Sequence, residues 1–268
     1  MRNKKTITLA MVLVIASAAL FASGASETDK LWFHADEAAD ASSVFLPGTR
    51  IIEMTTFDAS GAALETSGAT VYQTPVNYGR YLENRIVGDG SIVDLLGRFF
   101  DGGVITPFED NLYDIDYSVA GTEILDGRVC TVYEVELAMD KALLTYDPNY
   151  QASGDIIGWD SSNEDFDDTL LATVWIDQDT KAIVKLVNEW KIDDGISSGK
   201  LAITQTVDYT VSTVDGTVVS LPSSIATDGR LTQRQDGSGY YTITDFSIKE
   251  TQSDFFHDAK FARGESVD

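Results

Sequence analysis

The chain has 268 residues, with 43 Asp+Glu against 19 Lys+Arg and a formal net charge of −24. Such a surface repels nucleic-acid phosphates and anionic membrane surfaces, so no nucleic-acid partner is expected. The single cysteine, Cys130, excludes an internal disulfide, and the fold must rest on an apolar core that a chain of this length can supply.

Arg2, Lys4 and Lys5 precede an almost wholly apolar run from Ile7 to Phe21, followed by the small residues Ala22, Ser23, Gly24 and Ala25. This three-part pattern reads as a secretory signal peptide over residues 1–25, cleaved after Gly24 or Ala25. The alternative, an N-terminal membrane anchor, would need an apolar run of roughly 20 residues. No cysteine follows the run to carry a lipid. The expected location is therefore periplasmic: exported, cleaved and not lipid-anchored. Residues 26–268 then suit one mainly β domain.

Asp29 to Ser42 reads as a short helix or ordered arm, with Leu31, Trp32, Phe33 and Ala38 available for burial. Arg50–Phe57 and Ala69–Gln73 read as strands joined by a turn-rich link containing Asp58, Ser60, Gly61 and Gly68. Tyr78–Val87 is a third strand, stopped by Gly88-Asp89-Gly90. Ser91 opens the best helix, with Asp94 three residues on and Ile92, Leu95, Leu96 and Phe99 on one face before Gly102-Gly103. That stripe suits ordinary packing on a sheet and a lid over it equally well.

Tyr113–Val119 alternates, and Asp126-Gly127 turns it into Val129–Leu137, where Val129, Tyr133, Val135 and Leu137 oppose Glu134 and Glu136. Residues 138–169 break the rhythm and carry Asp155, Asp160, Glu164, Asp165, Asp167 and Asp168. They read as a solvated acidic loop insertion whose spacing matches no ordered calcium loop. Strands resume at Ala172–Ile176, Ala182–Ile192, Leu201–Val211, Val218–Ile225 and Tyr240–Lys249, with turns at Asp177–Lys181 and Asp215-Gly216. The cleanest alternation sets Leu201, Ile203, Gln205, Val207, Tyr209 and Val211 against Ala202, Thr204, Thr206, Asp208 and Thr210. A period of two with one greasy side means a sheet with a dry face and a wet face. Phe255, Phe256 and Phe261 are available to dock the tail.

No catalytic constellation accompanies this sheet. His34 and His257 lie at opposite ends of the mature chain, and no cysteine pair joins them in a metal site. Neither a Gly-x-Ser-x-Gly elbow nor a glycine-rich phosphate loop is present. Carboxylate pairs abound, but in so acidic a chain they carry little weight for a glycan-acting enzyme. Cys130 reads as a small buried hydrophobe. The expectation is a protein that is not an enzyme and uses no cofactor or metal.

The dry face offers a candidate ligand-binding set: Ile115, Tyr117, Val135, Val174, Ile176, Leu186, Ile203, Val207, Tyr209 and Phe246. The helix stripe adds Leu95, Leu96 and Phe99. One short helix and an N-terminal arm are little to cover about nine or ten strands, and an uncovered apolar face above a few hundred Å² marks a binding site.

The order of several segments resembles the outer-membrane lipoprotein-sorting family. The motifs are Tyr117-Ser118-Val119-Ala120-Gly121-Thr122-Glu123, Asp126-Gly127-Arg128-Val129-Cys130-Thr131-Val132-Tyr133-Glu134-Val135, and Val174-Trp175-Ile176-Asp177-Gln178-Asp179-Thr180. After them come Val207-Asp208-Tyr209, Asp215-Gly216, Leu221-Pro222 and Ile243-Thr244-Asp245-Phe246-Ser247-Ile248. The resemblance covers roughly Asp114 to Phe261 and implies an open, curved antiparallel sheet, an unclosed half-barrel with a few short helices as lid. It also implies a cargo of acyl chains, from lipoproteins or other lipids, exchanged with a membrane donor or acceptor protein. A periplasmic sensor acting on a membrane regulator would share the same cavity. In this family an arginine locks the lid; Arg50, Arg80, Arg85 and Arg98 are the candidates here.

Overall fold

A computed structural model describes residues 26–76, 81–90, 107–108, 115–138, 167–193, 199–234 and 241–257. Among these residues one full helix is present, α1 (Glu27–Ser42), and it begins with a reciprocal cap. The Asp29 N–H donates to Ser26 Oγ at 3.1 Å, and the Ser26 N–H donates to Asp29 Oδ2 at 3.0 Å. Two of the amides that a helix start leaves without partners are thereby satisfied, and the carboxylate sits favourably at the positive end of the helix dipole.

The strands are β1 (Phe45–Leu46), β2 (Thr49–Phe57), β3 (Ala63–Val76), β4 (Tyr81–Gly88), β5 (Ile115–Leu125), β6 (Arg128–Ala138) and β7 (Asp167–Asp177). They continue with β8 (Ile183–Asp193), β9 (Gly199–Val214), β10 (Thr217–Arg234), β11 (Tyr241–Ser253) and β12 (Phe256–His257). Ten of them form one antiparallel sheet in the order β4-β3-β2-β11-β10-β9-β8-β7-β6-β5. Strands β5 to β11 are a simple meander, and β2 joins the sheet beside β11. Its edges, β4 and β5, do not pair with each other, so the sheet is not closed into a barrel. β1 and β12 form a separate two-stranded ladder with Leu46 opposite Phe256, which docks the tail at Phe256 as expected.

Two hairpins turn where the sequence places them. Asp126 and Gly127 have φ of 50° and 81°, and Asp215 and Gly216 have 51° and 84°. Positive φ at both central residues matches the right-handed twist of the flanking strands, and Asp-Gly tolerates it at low cost. Between β7 and β8, Asp177 organises the turn. Its carboxylate accepts from the Asp179 N–H at 3.0 Å, Thr180 Oγ1 at 2.8 Å and Arg128 Nη1 at 2.7 Å. Burial alone would raise its pKa, but these donors together hold it below the usual carboxylate range.

Several strands outrun their sequence signal. β10 continues to Arg234, well past Ile225, through Thr227, Asp228, Gly229 and Arg230. Pairing on both sides, with β9 and β11, overrides the weak strand propensity of those residues. β3 starts at Ala63, so the β2–β3 link shortens and Gly68 lies within a strand opposite Glu53. β7 starts at Asp167, so the expected loop yields its last residues to the sheet. Val129, expected on the dry side, is 44% exposed. The expected helix from Ser91 and residues 139–166 lie outside the described residues. Among the described residues, no helix is long and apolar enough to cross a membrane.

Candidate functional site: the inner face of the sheet

Period-two alternation sends every second side chain of β2, β3 and β6 to β11 to one face, and that face holds the apolar core. Val135, Val174, Ile176, Leu186, Ile203 and Val207 join a single cluster there, each 4% exposed or less. Tyr209 and Phe246 pack against the cluster while partly buried, and burial raises the Tyr209 pKa. Tyr117 points to the same side from the edge strand β5 and is 38% exposed. The structure therefore brings these nine candidates together, on a face that is largely closed in this conformation. Leu95, Leu96 and Phe99 lie outside the described residues, as does the side chain of Ile115.

α1 is the lid over part of this face. Leu31, Ala35 and Ala38 are its buried residues. Near its start, Tyr133 Oη on β6 donates to the Thr28 carbonyl at 2.7 Å, and Tyr117 Oη donates to Asp29 Oδ1 at 3.3 Å. At its end, the Ser220 N–H on β10 donates to Ser42 Oγ at 2.8 Å. Thr28 to Ser42 spans about 21 Å at 1.5 Å per residue, and β6 to β10 spans about 19 Å at 4.8 Å per strand. The helix thus uses its whole length to cross from β6 to β10.

Trp32 fixes the start of the lid. Its ring stacks on Tyr117 at 4.5 Å between centroids and on Phe108 at 4.6 Å, and it tilts against Tyr133 at 5.2 Å. Burial pushes the Tyr133 hydroxyl up to about 12, with smaller contributions from Tyr117 and Asp29. Desolvation, followed by the neighbouring Asp29 carboxylate, raises Tyr117 as well.

The inner face is not uniformly apolar. Asn188, Gln205 and Thr227 cross it on β8, β9 and β10, and each is buried. On the next strands, Arg50 forms a two-pronged ion pair with Glu250, Nε to Oε1 at 2.6 Å and Nη2 to Oε2 at 2.9 Å. Gln252 Nε2 also donates to Glu250 Oε1, at 2.7 Å. Alternation in the sequence marks Gln205 and Asn188 as interruptions of the dry side, but gives no sign that they are neighbours. Of the candidate locking arginines, Arg50 holds the sheet to itself, and Arg85 lies over the Tyr72 ring at 4.7 Å. Arg80 and Arg98 lie outside the described residues.

A shallow recess of about 390 Å³ is lined by the outer-face residues Glu189, Thr204, Asp228 and Arg230 together with Ile203 and Phe246 of the candidate set. Among the described residues, no group of three or more His, Cys, Asp or Glu side chains could hold a metal ion. His34 bonds Glu37 within α1, while His257 packs edge-on against Phe45.

No family model matches the chain, and no curated protein matches it. Among solved structures it is similar to a DUF1329 family protein from Desulfovibrio piger. The identity is 12%, over 85% of this chain and 93% of that one, with a TM-score of 0.32. It is also similar to a domain from Vibrio parahaemolyticus described as an outer membrane lipoprotein-sorting protein. There the identity is 13%, over 79% of this chain and 86% of that one, with a TM-score of 0.28.

Proposed function

We propose that the protein is an exported, non-enzymatic carrier that holds the acyl chains of lipoproteins or other lipids against the inner face of its sheet. One observation carries this reading: among the described residues, a broad apolar face is crossed by one lid helix whose buried residues are Leu31, Ala35 and Ala38. Alanine offers little area, and burial contributes only about 25 cal/mol per Å². The three lid hydrogen bonds add about 1 kcal/mol each. An acyl chain contributes roughly 0.8 kcal/mol per buried CH₂, so about ten methylenes supply roughly 8 kcal/mol. Release needs a competing apolar acceptor, such as a membrane receptor protein. The basic and apolar N-terminal residues support export to the periplasm.

An environment-sensitive apolar dye should bind the purified protein saturably, and fatty acyl chains should displace it. Native mass spectrometry of protein from its own cells should show a co-purified lipid. Absence of both dye binding and bound lipid would show that the inner face is ordinary core.

A further inference from the structure

We infer that the free edge of β4 is the contact through which two copies of this chain pair about a two-fold axis, with Asn84 facing Asn84 of the second copy. The pairing stands apart from the carrier reading and does not need it.

Among the described residues, β4 ends the ten-stranded sheet and is bonded to β3 on one side only. The ladder fixes which of its backbone groups look outward. The Gln73 N–H donates at 2.8 Å to the carbonyl of Gly48, which leads into β2, and so points away from β4. Gln73 lies opposite Asn84, so this pair has no backbone hydrogen bonds between its members, and Asn84 turns its N–H and C=O to the free edge. Alternation gives Leu82 and Ile86 the same direction. A row of outward N–H and C=O groups is a template for another strand.

The sequence of this edge complements itself. Glu83 and Arg85 flank Asn84, and Leu82 and Ile86 flank them in turn. Turned about a two-fold axis through Asn84, the strand sets Glu83 opposite Arg85 of the second copy and Leu82 opposite Ile86. Asn84 then exchanges both backbone bonds with its counterpart, as do Leu82 and Ile86. The two charged pairs fall between these bonded positions, where cross-strand side chains approach most closely. No other two-fold register sets acid against base. Glu83, Asn84 and Arg85 are exposed, and Ile86 and Val87 are 42% and 54% exposed, so the apolar end of the ladder is open for a second strand to cover. Arg85 rests over the Tyr72 ring, which holds its charge on the outer face with Glu83.

The opposite edge, β5, has no such match. It carries Asp116 and Glu123 without a basic residue, and its ladder is interrupted between Val119 and Gly121. Such features guard an edge against pairing. A contact of β4 with itself closes as a dimer, whereas β4 on β5 would run on as a filament. The axis stands perpendicular to the sheet, so at the joint the two inner faces lie on the same side.

The test is sedimentation equilibrium of the purified protein over a range of loading concentrations. Salt of about 0.15 M screens the repulsion between two acidic copies beyond about 8 Å. The unmutated protein should be a reversible dimer. Asn84→Pro removes a donor that faces away from β3, so it should abolish the dimer while thermal unfolding stays cooperative. Arg85→Glu sets acid against acid and should weaken the dimer about tenfold, the effect of two cross-strand pairs. Adding Glu83→Arg to that variant restores opposite charges in this register alone and should recover the dimer; the two charge variants serve if Asn84→Pro does not fold. A monomer at every concentration overturns the inference. So does a dimer that a folded Asn84→Pro leaves intact, or one that the double variant fails to restore.

Discussion

A methyl group at Gly229 would overlap the Phe246 ring, which lies over the glycine from the neighbouring strand β11. The glycine is there because an aromatic ring needs its space, and no local pattern in β10 announces that. Val207, by contrast, is legible from alternation alone and is fully buried. Val207→Asp places a carboxylate among Val174, Leu186 and Ile225 and should cost several kcal/mol or force proton uptake. Denaturant unfolding at pH 7 and pH 4 checks this, with the variant regaining part of its stability in acid. If stability is unchanged and dye binding is lost, the face already hydrates in the free protein. Asp177 gives a second test with the opposite pH trend. Its folded pKa lies below the usual value, so the unfolded chain binds the proton first as pH falls. The stability it contributes is present above the unfolded pKa of about 4 and lost as pH drops through the folded value. Asp177→Asn should therefore cost about 1–3 kcal/mol at pH 7 and converge with the parent near pH 2. Parallel melting curves across that range would show that the turn does not depend on the charge.

Helix α1 and the strands differ in how far the sequence reveals them. Alternation showed the faces of β6 and β9 because side-chain period is a local property. It did not show where β3, β7 and β10 begin or end, since ladder pairing with the flanking strands decides those limits. Nor could it place α1 across β6 to β10, because the contacts of Thr28, Asp29 and Ser42 are with residues about a hundred or more positions away. The main anchor of the lid, Tyr133, has a consequence in alkali. Its folded pKa of about 12 exceeds the unfolded value of about 10. The stability tied to its neutral hydroxyl is full below pH 10 and lost as pH rises through 12. Tyr133→Phe should lose about 1 kcal/mol at neutral pH with the bond to the Thr28 carbonyl, and should flatten the alkaline decline between those limits. Circular dichroism melts between pH 8 and 12 measure both; an identical decline in the two proteins would remove Tyr133 as its source.

At the scale of the whole molecule, two properties meet: a sheet of consecutive strands joined by one long-range pairing, and a large excess of negative charge. β2 joins β11 nearly two hundred residues later, so that one seam forms only after a long loop closes. Charge acts against the compact state. With 43 acidic side chains and 19 basic ones, most carboxylates have no basic partner to offset them. Self-repulsion among them destabilises the folded chain more than the unfolded one, because folding brings the charges closer. Salt opposes this by screening, with a Debye length near 10 Å at 0.1 M and about 3 Å at 1 M. It also weakens exposed ion pairs such as Arg230–Asp245 and Lys30–Glu27, but solvent already screens such pairs and they contribute little. The more buried Arg50–Glu250 pair is screened far less. Relief of repulsion should therefore win, and the melting temperature should climb as sodium chloride rises from about 0.02 M to about 0.5 M, then level as screening saturates. Potassium chloride should act alike, since screening depends on ionic strength and not on the cation. A melting temperature that falls over this range would show that the ion pairs outweigh the excess charge.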